Sequence, residues 1–308
     1  MGDSACAEVM TDLGTETAIL VAFAGCLEQR GSSVADVQRA LREAGLQVGA
    51  LAFEPTLPPD ELARLALAAG ATMIVAAGGD GTVHAAANAA AQLGLTLAVL
   101  PFGTANDFAH GLALPLELAA AVAAIAAGQT RTIDLGRVNG HYFLTAAHAG
   151  LGAETARRSD PRLKQLVGPL AYAVAAVGAW SEHEPLELTL VVNGREATLC
   201  ASQLLVANGV YYGGGNLVAP DASFDDGQLE IQLVGPDLPA HALLRLAGAL
   251  RRGEMADQPE TACFRTTHLE VTLGRPAPVN MDGELVELGE HLVFEVAPRA
   301  LRVVVAKA

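Results

Sequence analysis

From Ala18 to about Gly128, short apolar β-rich runs alternate with longer segments whose apolar residues recur at helical spacing, the pattern of βαβ units around a parallel sheet. The runs AILVAFA at Ala18, LQVGALAF at Leu46, TMIVAA at Thr72 and LTLAVL at Leu95 predict strands. Each ends where glycine, proline or acidic residues begin. Val34 to Ala44, Pro59 to Ala69, Val83 to Leu93 and the Ala-rich Leu116 to Ala127 predict helices, the second opening on prolines and two acids suited to a helix start. After Arg131 the texture changes to strands such as TIDLGRV, HYFLTAA, LELTLVV, SQLLVAN, QLEIQLV and LRVVVA. Two helices interrupt them, near Leu163 to Trp180 and Ala240 to Arg251. The expected fold is therefore an N-terminal parallel-sheet α/β domain over residues 1–130 and a C-terminal β-rich domain over 131–308, mostly an antiparallel β-sandwich. Ligand sites of parallel sheets form at strand ends, and a cleft between two closely packed domains is the default place for one.

Composition narrows the function. With 308 residues, 51% hydrophobic and 17% charged, the chain can bury a large core and is not disordered. Acidic residues outnumber basic ones 34 to 19, and the net charge of −15 argues against a nucleic-acid partner and against broad electrostatic attachment to anionic lipid. The cysteines at 6, 26, 200 and 263 lie far apart, which fits a reducing compartment better than a disulfide frame or a zinc site. Residues 1–17 carry four acids and no Lys or Arg, unlike a signal peptide. The uncharged stretch Gln165 to Trp180 falls short of the roughly 20 residues that span a bilayer. A cytoplasmic location is expected; any membrane contact is peripheral and transient, and the apolar helices permit a homodimer.

The sharpest chemical signal is IVAAGGDGTVHAAANAA, where a strand ends and Gly78, Gly79, Asp80, Gly81 and Thr82 lead into a helix. Glycines let backbone N–H groups approach phosphate oxygens, and a helix start adds partial positive charge. A carboxylate beside a polyphosphate is repulsive unless a cation lies between them, so Asp80 implies Mg²⁺. A second strand ends in LAVLPFGTANDFAHGL, where Gly103, Thr104, Asn106 and Asp107 form another polar cluster. Thr104 can donate to phosphate, Asn106 can bridge backbone and ligand, and Asp107 is a second acid for the metal. On its own this segment reads as an ordinary helix cap. Lysines occur only at 164 and 307, so no lysine clamps phosphate near GGDGT, and Arg or a metal must balance the charge.

GGDGT at Gly78 and GTANDFAHGL at Gly103 resemble the diacylglycerol kinase catalytic domain shared by bacterial lipid kinases and sphingosine kinases. TIDLGRVNGHYFLTAAHAGLGAETARR from Thr132, KQLVGPLAYAVAAV from Lys164, YYGGGNLVAPDASFDDGQLEIQLV from Tyr211 and NMDGELVE from Asn280 continue the resemblance in the same order. GGDGT alone is shared with NAD kinases and phosphofructokinases, whose N-terminal fold the resemblance implies here. It further implies an ATP-dependent and Mg²⁺-dependent lipid kinase acting on a hydroxyl of a diacylglycerol-like or other long-chain lipid. In that reading Asp80, Asp107 and Asp134 match the acids of an aspartate, water and Mg²⁺ network. Asp282 matches the general base, with Glu284 assisting. Without the resemblance, Met281 to Leu285 is merely a hairpin turn. Asp226 matches a structural metal site completed by the carbonyls of Ser223 and Gln228; its own sequence reads equally as an Asp-Asp-Gly turn. The last strand, about residues 300–306, is expected to return to the first domain.

The chain departs from the family at its first strand end, where Asn-Pro-x-Ser-Gly is replaced by VAFAGCLEQRGSS, with Gly25, Gly31, Ser32 and Ser33 as replacement contacts. His84 and His110 stand where the family usually has a polar residue and an Arg. Two other readings remain open: a kinase with a soluble acceptor such as NAD, and a catalytically silent nucleotide- or lipid-binding protein. Phe143, Tyr172 and Trp180 sit at spacings expected of core packing, and His148 reads as a hydrogen-bonded structural histidine.

Overall fold

The computed structural model describes residues 18–52, 59–158 and 183–307. The helix expected near Leu163 to Trp180, with Lys164, Tyr172 and Trp180, lies outside the described residues. The chain divides into two compact units: Met1–Asp134 with Pro298–Ala308, and Leu135–Ala297.

In the first unit, β1 (Ala18–Ala22), β2 (Val48–Ala52), β3 (Met73–Gly78) and β4 (Thr96–Pro101) form a parallel sheet in the order β2-β1-β3-β4. The helices α1 (Ala24–Gln29), α2 (Val34–Glu43), α3 (Pro59–Ala68), α4 (Asp80–Leu93), α5 (Asp107–Gly111) and α6 (Leu118–Ala127) fill the connections. The last strand, β18 (His291–Val304), extends this sheet beyond β4, with Arg302 and Val303 opposite Thr96 and Leu97 in parallel register. Leu20, Leu27, Leu41, Val75, Ala98, Leu100 and Ile125 share the buried core, as expected for strands apolar on both faces. Ser33 starts α2 with a capping box: its hydroxyl accepts the Asp36 N–H, and the Asp36 carboxylate accepts the Ser33 N–H.

Two local differences from the sequence reading bear on the site. The first strand end is not an open loop, because α1 forms there directly after Phe23. Helix α4 begins at Asp80 rather than Val83, since Gly79 supplies an extended N-cap residue and a carboxylate is favourable in a first helical turn.

The second unit carries β5 (Thr130–Val138, continuing from the first unit), β6 (His141–Phe143), β7 (Ala146–Gly150), α7 (Leu151–Arg158), β8 (Leu186–Val192), β9 (Arg195–Ala201), β10 (Gln203–Ala207), β11 (Tyr211–Tyr212), β12 (Asn216–Leu217), β13 (Leu229–Val234), α8 (Ala240–Arg252), β14 (Thr261–Thr266), β15 (His268–Leu273), β16 (Val279–Met281) and β17 (Glu284–Val286). One antiparallel sheet runs β14-β13-β10-β7-β16-β17, and a second antiparallel ladder joins β9, β8, β15 and β18. Alternate residues of both, among them Ala147, Leu188, Leu204, Ile231, Val271, Val279 and Phe294, meet with Phe143 of β6 in one buried cluster, which makes the unit a sandwich. Among the described residues no helix is long and apolar enough to cross a membrane.

Candidate active site

The two glycine-rich segments of the first unit meet because β3 and β4 are neighbours, with Gly78 opposite Pro101. Their approach requires glycine. A Cβ on Gly103 would lie 2.6 Å from the Gly79 Cα, so the two backbones touch where any side chain would hold them apart. Asp80 then joins the segments: its Oδ2 accepts the Asn106 N–H at 3.0 Å and its Oδ1 accepts the Asp107 N–H at 2.9 Å. Asn106, at φ 51°, turns the chain into α5 while its side chain closes a ring with Gly103, accepting the Gly103 N–H and donating to its carbonyl, each at 2.9 Å. Asn106 thus bonds backbone, as the sequence suggests, but that backbone is Gly103. Gly81 and Thr104 face outward, whereas Thr82, Asn106 and Asp107 are buried.

Arg30, on the altered first loop, donates to the Gly103 carbonyl at 2.9 Å, a contact that no sequence motif marks. Beside it a cavity of about 210 Å³ is lined by Arg30, Ser32, Leu100, Pro101, Phe102, Leu116, Glu117 and Leu118. His84 is buried within α4 against Asn88, and His110 is exposed at the end of α5.

Asp134 is held by a different partner, its Oδ1 accepting the Arg299 N–H at 2.7 Å. Among the described residues no three acidic, His or Cys side chains converge as a metal cage. The Asp80 carboxylate touches the backbone of Asp107, the next acid in sequence of the expected set, and among the described residues Asp134 completes no three-acid cluster with them. Such a pair still suits Mg²⁺, which commonly takes one or two carboxylates and draws its remaining ligands from phosphate and water.

In the second unit Asp282 and Gly283 form the two-residue turn between β16 and β17, with φ 49° and 99°, the twist that favours Asp-Gly in hairpins. Asn280 Oδ1 accepts the Gly283 N–H at 2.9 Å and closes the turn. The half-buried Asp282 carboxylate reaches back to the start of β7. Its Oδ2 accepts the Leu144 N–H at 2.6 Å, and its Oδ1 accepts the Thr145 N–H at 2.9 Å, the Thr145 hydroxyl at 2.6 Å and the Ala146 N–H at 3.1 Å. Asn208 holds the same stretch from the other side, its N–H donating to the Thr145 carbonyl and its side chain to the Leu144 carbonyl. Nothing in the sequence marks Asn208. Glu284 is exposed two residues further on.

His148 is 2% exposed, and Nε2 shares a 2.7 Å hydrogen bond with the Tyr212 hydroxyl. Burial pushes its pKa down to about 4, against the opposing influence of the Asn280 side chain and the Asp282 charge. Asp226 closes a turn: its carboxylate accepts the N–H groups of Ser223 and Gln228 at 3.1 and 2.9 Å, and the Ser223 carbonyl accepts the Asp226 N–H. In this geometry the acid serves its own backbone with one N–H on each oxygen, and a lone pair remains on each.

A parallel α/β unit with glycine-rich loops at neighbouring strand ends is continued in the chain by a β-sandwich unit. The family described as "Diacylglycerol kinase catalytic domain" matches residues 18–138, and "YegS C-terminal NAD kinase beta sandwich-like domain" matches 145–305. The chain is 37% identical over 271 residues to a Pseudomonas aeruginosa protein named "Probable lipid kinase YegS-like", covering 86% of each chain. It is 31% identical over 217 residues to a Bacillus subtilis protein named "Diacylglycerol kinase", covering 69% of this chain and 71% of that one. Two Bacillus anthracis structures share the fold, with TM-scores of 0.77 and 0.69 at 22% and 18% identity, over 94% of this chain and 95% and 97% of those chains; the second is described as a diacylglycerol kinase. The chain belongs to the YegS-like, diacylglycerol kinase-like family of lipid kinases.

Proposed function

We propose that this chain transfers the γ-phosphoryl group of ATP to a hydroxyl of a diacylglycerol-like or other long-chain lipid. The observation that carries the reading is the junction at Asp80, whose carboxylate fixes both glycine-rich segments at the ends of adjacent parallel strands, where phosphate-binding sites of such sheets form.

In this reading the backbone of Gly78 to Thr82 and of Gly103 and Thr104 receives the phosphates, with the start of the 14-residue α4 favouring their charge. Asp80 and Asp107 would hold Mg²⁺, directly or through water, and the ion would neutralise charge on the β- and γ-phosphates. Asp282 accepts the proton of the lipid hydroxyl as its oxygen attacks the γ-phosphorus; the bond from that phosphorus to the bridging oxygen breaks and ADP leaves. The donors at Leu144 to Ala146 fix the orientation of that carboxylate, and exposed Glu284 assists. Asp134 orders the Arg299 turn, and transient contact with a bilayer would supply the acceptor.

The replacement of the first loop by α1 favours, as a second reading, a silent nucleotide- or lipid-binding protein. The deciding experiment follows labelled γ-phosphate from ATP, with Mg²⁺, to detergent-dispersed diacylglycerol, sphingoid and phospholipid acceptors, with NAD alongside. A phosphorylated lipid supports the proposal and names the acceptor. Phosphorylated NAD alone, or ATP binding with no product, overturns it.

A further inference from the structure

The face of the six-stranded sheet turned away from the sandwich core carries a row of directly opposed residues running Gln232, Leu205, His148, Asn280. His148 lies at its centre and is clamped from two sides. Tyr212, from the β11–β12 hairpin, meets Nε2, and the two rings stand edge to face with centroids 5.1 Å apart. Opposite, the first turn of α7 closes on the imidazole so tightly that a Cβ on Gly152 would lie 2.9 Å from Nδ1. That Nδ1 has no hydrogen-bond partner among the described residues. A buried polar atom without a partner is costly, and an apolar side chain would fill the same space without that cost. Packing alone therefore does not account for a histidine here; its polar contacts do, the 2.7 Å bond to Tyr212 beside the interaction with the Asn280 side chain.

That bond acts on Asp282 by two routes. Through β16, His148 faces Asn280, whose side chain closes the turn that carries Asp282. Through the hairpin, Tyr212 packs with Val218 and Ala219 onto Ala146. Ala146 is bonded to Asp282 in both directions, its N–H donating to Oδ1 and its carbonyl accepting the Asp282 N–H at 3.0 Å. The hairpin tip, Gly213 to Gly215, has φ of 62°, 96° and 85°, a conformation open to glycine, and all three residues are exposed.

We propose that His148 and Tyr212 are a positioning pair that holds the Tyr211–Leu217 hairpin against the Asp282 turn and so sets the acceptor side of the reaction. The inference rests on the kinase reading with Asp282 as base. The pair, the hairpin and Asp282 all lie in the second unit, whereas Gly78 to Thr82 and Gly103 to Asp107 lie in the first. Loss of the pair should therefore disturb the acceptor and turnover while leaving nucleotide binding alone.

The test compares Tyr212→Phe, His148→Leu, the double variant and His148→Gln, whose amide nitrogen can occupy the place of Nε2. Hydrogen exchange of residues 211–217 reads the clamp directly. Kinetics with detergent-dispersed short-chain diacylglycerol and ATP read its consequence. The expected result is faster exchange confined to the hairpin, kcat lowered about tenfold with a raised acceptor KM, and an unchanged ATP KM. The double variant should be no worse than either single one, because both remove the same bond. His148→Gln should recover most of what His148→Leu loses. Unchanged exchange in Tyr212→Phe overturns the clamp. Faster exchange with parental kinetics, or equal losses in both substrates' KM values together with a lowered melting temperature, overturns the positioning role. A parent chain that phosphorylates no lipid overturns the kinase reading and the inference with it, an outcome distinct from an active parent whose Tyr212→Phe variant is equally active.

Discussion

Asp80 accepts the N–H of Asp107, 27 residues further along the chain, and that single 2.9 Å bond joins the end of one strand connection to the start of the next helix. The carboxylate is at once the acid expected to face a cation and the acceptor for two N–H groups at the buried start of α5. Structure and the proposed chemistry therefore fail together when it is removed.

Asp80→Ala leaves the Asn106 and Asp107 N–H groups without that acceptor. Unfolding free energy should fall by about 2 kcal/mol, and ATP affinity measured calorimetrically should fall with it. Asp80→Asn keeps one acceptor oxygen and should lose less stability while still losing Mg²⁺-dependent ATP binding. A variant that binds ATP as the parent does would remove Asp80 from the phosphate site.

The contact between Gly79 and Gly103 gives a second prediction. Gly103→Ala must push two backbones apart, so thermal unfolding should occur earlier by the equivalent of about 1–3 kcal/mol, with nucleotide affinity reduced. Gly81→Ala is the matched control, because its Cβ would meet nothing within 4 Å and lies in the first turn of α4. Its stability should be unchanged or slightly raised. Equal effects of the two substitutions on stability would show that the close approach is unimportant.

His148 gives the chain an acid sensitivity of known sign. Its folded pKa is lowered to about 4 from the ordinary 6.5, so between those values the unfolded chain binds a proton that the folded chain refuses. The stability that it contributes is complete above about pH 6.5 and is lost as pH falls toward 4, to a total on the order of 3 kcal/mol. Denaturant unfolding of the parent and of His148→Phe at pH 7, 6, 5 and 4.5 measures the difference in slope. The variant should lose less stability across this range, and parallel curves would contradict the prediction.

The elements that position both constellations were legible wherever one pattern decided them. Apolar runs bounded by glycine or acids marked β1, β3 and β4, and the DG dipeptide marked the turn at Asp282. Legibility failed where residues face water on both sides: Arg195 to Leu199 are all partly or fully exposed, and β9 therefore has no apolar alternation to show. It failed again for α1, whose six residues are too few for a helical period to emerge. The pairings that matter most were beyond reach for another reason. Asp282 meets Thr145 across 137 residues and Tyr212 meets His148 across 64, and a single sequence carries no local trace of such contacts.

Asp282→Asn is often taken as a silent exchange of shape, and here it is not one. The carboxylate accepts four donors, three on Oδ1 and one on Oδ2. An amide can satisfy only one side of that arrangement. Turned one way its NH₂ group faces the Leu144 N–H, donor against donor at the 2.6 Å contact, and turned the other way it faces the N–H groups of Thr145 and Ala146. The variant should lose about 1–3 kcal/mol of stability and at least about a hundredfold in turnover, the range expected for a removed general base. Its affinity for ATP should stay at the parental value, since the nucleotide loops belong to the other unit. Thr145→Val separates the two effects, because it deletes one donor to the same Oδ1 without touching the proton acceptor. That variant should lose about 1 kcal/mol of stability and keep most of its turnover. Equal turnover losses in Thr145→Val and Asp282→Asn would mean that Asp282 acts by anchoring Leu144 to Ala146 and that the acceptor's proton leaves by another group.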